Sequence, residues 1–81
     1  MSWQDDLEAC FSRIDRLYTA HVMDEGRAFQ LLASARREGI TWNQLSNGVR
    51  DFLASDGCTP QQIEMHIADV ERRFRPWLNE E

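Results

Sequence analysis

EGITWNQL, residues 38–45, returns eighteen residues later as DGCTPQQI, residues 56–63, and this pair of octets decides the fold. Both read acid, glycine, apolar, threonine, two spacers, glutamine, apolar. Glycine can take the left-handed backbone conformation that ends a helix. Threonine can accept a bond from the first turn of the next helix, and glutamine three residues on can reach back to close a capping box. Ile40 with Leu45, and Cys58 with Ile63, stand where hydrophobic staples lie across such caps. Pro60 falls at the first helical position, where its missing N–H costs nothing. The repeat is therefore helix punctuation used twice, rather than a duplicated module.

With Ser2 and Asp24 as further caps, the two corners predict an all-α, compact single-domain bundle of four short helices joined by tight turns. The helices are expected at about 3–22, 25–38, 42–55 and 60–75. At about 100° per residue, Trp3, Leu7, Cys10, Phe11, Ile14, Leu17, Tyr18, His21 and Val22 share one broad face of the first. Ala28, Phe29, Leu31, Leu32 and Ala35 line the second, and Trp42, Leu45, Val49, Phe52 and Leu53 the third. The fourth offers Ile63, Ile67, Val70 and Phe74, with Asp69/Arg73 and Glu71/Arg75 as supporting pairs one turn apart. Pro76 stops that helix, because it lacks an N–H and crowds the preceding turn. Residues 1–75 are thus expected to form the four-helix domain and 76–81 a C-terminal tail. Trp77 and Leu78 in that tail either fold back over the core or meet a partner, a second copy in a homodimer included.

Acidic residues outnumber basic ones 14 to 9, for a formal charge of −5, and all nine basic residues are arginine. The surrounding field repels phosphate and attracts basic partners. The opening MSWQDDLEAC carries no basic segment followed by an apolar run, which predicts a cytoplasmic chain without a membrane segment. Two cysteines, Cys10 and Cys58, are too few for a disulfide scaffold and suit small buried apolar positions. On single helices, Cys10 and His21, or Cys58 and His66, stand too far apart to share a metal, so no zinc site is expected. His21 is expected as a partly buried histidine on the apolar face, and His66 as a surface residue. No nucleophile elbow, phosphate loop or HExxH stretch occurs, and Asp5/Asp6 and Asp24/Glu25 are explained by helix starts. Neither an enzyme nor a cofactor is expected.

Residues 31–50 resemble the bacterial helix-turn-helix pattern at Ala35, where close helix approach needs a small residue, at Gly39 in the turn, at Ile40 and at Leu45. They depart from it at Ser34, Glu38 and Gly48, where that pattern places apolar anchors. The resemblance implies a transcriptional regulator reading DNA with the 42–55 helix through Arg36, Arg37, Asn43, Ser46, Asn47 and Arg50. Amide and arginine side chains are those that pair with base edges in a major groove. The charge balance points elsewhere, since phosphate contacts supply most nonspecific affinity and Glu38 and Asp51 flank the few arginines. The leading expectation is a small acidic protein-binding module, an inhibitor, adaptor or regulator of a larger protein with a basic surface. A nucleic-acid-handling complex, met by a bacterial or phage-encoded inhibitor, is one such setting. The residues expected at that contact are Asn43, Asn47, Arg50, Asp51, Met65, Asp69, Trp77 and Leu78.

Overall fold

The two octets fold as near-copies of one another. The computed structural model describes residues 2–11, 13–15 and 20–78, with side chains described for 2–11 and 23–78. At the first corner Gly39 sits at φ 70°, and at the second Gly57 sits at φ 87°. The Gly39 N–H donates to the Arg36 carbonyl at 3.2 Å and the Ile40 N–H to the Ala35 carbonyl at 2.9 Å. The Gly57 N–H donates to Ala54 at 3.1 Å and the Cys58 N–H to Leu53 at 3.0 Å. This paired pattern is the Schellman motif, which satisfies carbonyls that a helix end would otherwise leave bare. The next helix begins at once in each case. Thr41 accepts from the Gln44 N–H at 3.2 Å while Gln44 accepts from the Thr41 N–H at 3.0 Å. Thr59 and Gln62 exchange the same bonds at 3.2 and 2.9 Å.

Among the described residues there are four α-helices: α1 Trp3–Cys10, α2 Glu25–Arg37, α3 Trp42–Ser55 and α4 Pro60–Phe74. The all-α bundle expected from the sequence is the fold found. A 3₁₀ turn, Arg75–Trp77, follows α4 and contains Pro76, as expected of a residue that cannot continue the helix. The ends of α2 and α4 fall one residue short of expectation, within the usual fraying of helix termini.

The first helix is the correction. It stops at Cys10 instead of running to residue 22, and the chain forms a short antiparallel ladder, β1 Arg13–Asp15 with β2 Ala20–Val22. Arg13 faces Val22, Ile14 faces His21 and Asp15 faces Ala20. The ladder's base is closed by the Asp24 N–H, which donates to the Cys10 carbonyl at 2.9 Å. A bond across fourteen residues leaves no trace in a helical periodicity, and residues 3–22 hold no glycine or proline to mark the break. Of the side chains expected on the far half of that helix, Ile14, Leu17, Tyr18, His21 and Val22 lie outside those described.

Packing runs in two antiparallel pairs, α1 with α2 and α3 with α4, and α1 also crosses α3. Along α3 and α4, Arg50 donates to Glu64 at one level, and the Arg75 guanidinium lies 5.9 Å from the Trp42 ring centre at the other. The core gathers Leu7, Cys10 and Phe11 from α1 and its cap, Leu31 and Ala35 from α2, Leu45, Val49 and Leu53 from α3, and Ile67, Val70 and Phe74 from α4. Between α1 and α2 one polar link is buried: the Ser34 hydroxyl donates to the Asp6 carboxylate, and Arg37 donates to the Ser34 oxygen at 3.2 Å. Among the described residues no buried side-chain nitrogen or oxygen lacks a partner. The radius of gyration, 11.9 Å, is close to the ~12 Å expected of a compact chain this long.

The glycines separate conformational from steric demands. A Cβ at Gly39 or Gly57 would meet nothing within 4 Å, so alanine there suffers only from the positive φ, about 1–2 kcal/mol. Gly48 is the converse, helical in backbone but with a Cβ position only 2.8 Å from the Trp3 ring. We therefore expect Gly39→Ala to be destabilising and Gly39→Asn less so. Gly48→Ala should also destabilise, despite alanine's better helix propensity, and should be partly rescued by Trp3→Phe. Urea unfolding midpoints check all four; a stabilised Gly48→Ala protein would contradict the close approach.

Candidate functional site

The absence of a side chain at Gly48 lets α1 lie directly on the backbone of α3. The Trp3 ring covers Gly48, and Leu7 approaches the same point to 3.5 Å from where a Cβ would stand. Beside that crossing runs a groove of about 620 Å³. Trp3, Leu7 and Phe52 form its apolar part, while Gln4, Glu8, Gln44, Asn47 and Asp51 supply amides and carboxylates. Its lining contains no arginine. Residues 44, 47, 48, 51 and 55 of α3 line it because that spacing follows one face of a helix. An aromatic base with hydrogen-bonding amides and two carboxylates suits a cationic, partly apolar segment of chain.

A second groove, of about 430 Å³, opens between α2 and the end of α4 and shares no residue with the first. Phe29, Leu32, Phe74 and Trp77 make it apolar. Glu25 and Arg73, joined at 2.5 Å, belong to its lining, as does Arg36. The Arg73 guanidinium is held above its ordinary range, first by its bond to Glu25. Phe29 was expected in the buried stripe of α2, but it is 75% exposed. The buried line of α2 is Ala28, Leu31, Ser34 and Ala35, and at about 100° per residue Phe29 projects about 150° from its centre, close to the opposite side of the helix.

The residues singled out in the sequence fall on several faces. Asn47 and Asp51 come together in the α1–α3 groove, and Asn43 is exposed on the same helix outside its lining. Arg50 is half-buried and bonded to Glu64 of α4, which raises the Arg50 pKa and lowers that of Glu64. Ser46 does not join the outward stripe: it is buried, and its hydroxyl donates to the Asn43 carbonyl at 3.0 Å. Met65 is 69% exposed on α4, whereas Asp69 accepts from Arg72 at 2.5 Å and Arg73 at 3.3 Å. Trp77 is 60% exposed and lines the α2–α4 groove, while Leu78 is half-buried and packs against the core. Arg36 lines the α2–α4 groove, while Arg37 is turned to Ser34. Sequence reasoning passed over Gln4, Glu8 and Gln44, which only the Trp3–Gly48 crossing brings beside Asn47. A glycine inside a helical pattern was the available signal, since it marks a point of close approach.

His66, expected at the surface, is half-buried and its ring meets Phe11 edge-on, with centroids 5.6 Å apart. Among the described residues no group of three or more His, Cys, Asp or Glu could hold a metal ion. No helix among them is long and apolar enough to cross a membrane. The fold is thus a small all-α bundle, and among the described residues it carries these two grooves of different chemistry. Comparison with protein families, with curated proteins and with solved structures found no match to this chain.

Both cysteines are free. Burial pushes the Cys10 thiol up from 9.0 to about 12, against the lowering effect of its bond to the Asp24 carbonyl and with the charges of Asp24 and Glu25 adding to the rise. Above pH 9 the unfolded chain gives up a proton that the folded one keeps, so stability should fall as pH rises through that window. Thermal unfolding between pH 8 and 11 should show this decline, with a shallower slope for Cys10→Ala on a lower baseline. An unchanged slope in that variant would assign the alkaline sensitivity to other groups.

Proposed function

We propose that this chain is a protein-binding module that inhibits, adapts or regulates a larger protein by seating a basic segment of it in the α1–α3 groove. The observation that carries this is the lining itself: aromatic and aliphatic side chains bordered by Gln4, Glu8, Gln44, Asn47 and Asp51, with no arginine among them. The net charge of −5 would steer a cationic partner toward the chain, and the two groove carboxylates would orient it. The amides supply directional bonds and the Trp3 edge supplies apolar area, the combination from which binding hot spots are made. Glu8 and Asp51 have no ion-pair partner among the described residues, so a cation arriving there displaces none. Complexes that handle nucleic acid present basic surfaces of this kind.

Duplex DNA as the partner draws less support from the same geometry. Arg50 is engaged with Glu64, the Ser46 hydroxyl bonds within its own helix, and Asp51 stands beside Asn47 in the groove. Carboxylates at that position repel phosphate.

Affinity capture from a bacterial lysate, run with the wild-type chain and with the Glu8→Arg/Asp51→Arg double variant, tests the proposal. We expect a discrete partner with a basic surface, retained by wild type and lost by at least about tenfold in the charge-reversed protein, whose circular dichroism stays native. Equal capture by both proteins, or no partner across a salt series, overturns it. A gel shift of duplex DNA abolished by Arg50→Ala would replace it with the DNA-reading alternative.

A further inference from the structure

Glu25, Phe29, Leu32 and Arg36 follow one another at spacings of four, three and four, and so form a single line along α2. All four line the α2–α4 groove. Along this line the chemistry reads negative, apolar, apolar, positive: the spacing is symmetric about the midpoint between Phe29 and Leu32, and the two ends carry opposite charge. A second α2 laid antiparallel across it would set Glu25 against Arg36, Phe29 against Leu32, and each pairing again in reverse. That is the self-complementarity a two-fold interface requires.

We propose that the α2–α4 groove is the interface of a symmetric homodimer, in which the two α2 helices cross antiparallel and each Phe29 enters the groove of the other copy. Exposure favours this occupant. The large apolar side chains left exposed among the described residues are Phe29, Met65 and Trp77, and two of these three belong to this groove. Charge favours it too. Arg36 has no carboxylate partner among the described residues, and in the dimer it meets Glu25 of the partner copy. Glu25 has oxygen atoms to serve both Arg73 of its own chain, at 2.5 Å, and the incoming guanidinium. The Phe29 ring supplies the knob, while Leu32, Phe74 and Trp77 supply the hole. The α1–α3 groove shares no residue with this interface, so dimerisation leaves the proposed partner groove open and doubles it on one particle.

Sedimentation equilibrium of the full chain over a concentration series gives the first test, with a dimer of twice 9.5 kDa as the expected species. Phe29→Asp, at an exposed helical position, should keep native helicity and raise the dimer dissociation constant at least about tenfold. The decisive arm uses charge. Glu25→Arg alone and Arg36→Glu alone should each dimerise poorly, because each puts like charges together at both ends of the crossing. An equimolar mixture of these two variants should form a heterodimer, since every facing pair is then opposite in sign.

A wild-type chain that stays monomeric throughout the series overturns the proposal. So does a dimer indifferent to Phe29→Asp, which would use another face, and so does a mixture that recovers no dimer, which would remove the antiparallel crossing. An amphipathic helix of another protein occupying this groove would appear as a monomeric chain whose capture of that protein is lost in Phe29→Asp. None of these outcomes depends on Glu8 or Asp51, so the two proposals fail separately.

Discussion

Two glycines at positive φ hold the rest of the molecule in place. At each corner a left-handed residue turns the backbone so that two N–H groups return to the last turn of the helix just completed. The threonine and glutamine that follow then satisfy the first N–H groups of the next helix. Helix ends are where backbone groups most need partners, and here the departing and arriving ends are satisfied within one short stretch. The direction of α3 is fixed by its entry corner and that of α4 by the second corner, which folds it back along α3. Because α3 is so placed, Gly48 faces α1, Trp3 covers it, and the groove beside them exists.

That dependence explains what could be foreseen from the residues. Both corners are local: every bond in them joins groups no more than five residues apart, so glycine, threonine and glutamine spell the geometry directly. The buried lines of α3 and α4 are equally legible, since Leu45, Val49 and Leu53, or Ile67, Val70 and Phe74, recur at helical spacing and are found buried. The end of α1 is different. It depends on the Asp24 amide returning to the Cys10 carbonyl, and apolar residues at 14, 17, 18 and 22 satisfy a helical period as readily as they populate a hairpin. Phe29 and Ser46 were misplaced for a related reason. Each stands at the flank of the stripe expected from its helix's apolar residues, where a rotation of a few tens of degrees, set by neighbouring helices, exchanges inside for outside.

The two grooves were the least legible parts, because each joins residues remote in sequence. Gln4 and Glu8 reach Asn47 and Asp51 only through the α1–α3 crossing. Phe29 and Leu32 reach Phe74 and Trp77 only because the second corner folds α4 back and Arg73 bridges to Glu25. Their chemistry also differs: one mixes apolar area with carboxylates and amides, while the other is apolar with opposite charges among its lining residues. On the proposed reading these are separate duties, the first for a basic partner and the second for another copy of the chain. Among the described residues, Arg37, Arg50, Arg72, Arg73 and Arg75 are engaged by carboxylates or hydroxyls of their own chain.

The central claim is that the corners, and not only the apolar stripes, hold the bundle together. Amide hydrogen exchange resolved by residue is its most direct measurement, because the N–H groups of Ile40 and Cys58 lie outside any helix yet donate to Ala35 and Leu53. The account predicts that these two amides exchange as slowly as those of Val49 and Leu53 in the middle of α3. Exchange of Ile40 and Cys58 at the rate of an exposed loop, with the helix interiors still protected, would contradict it.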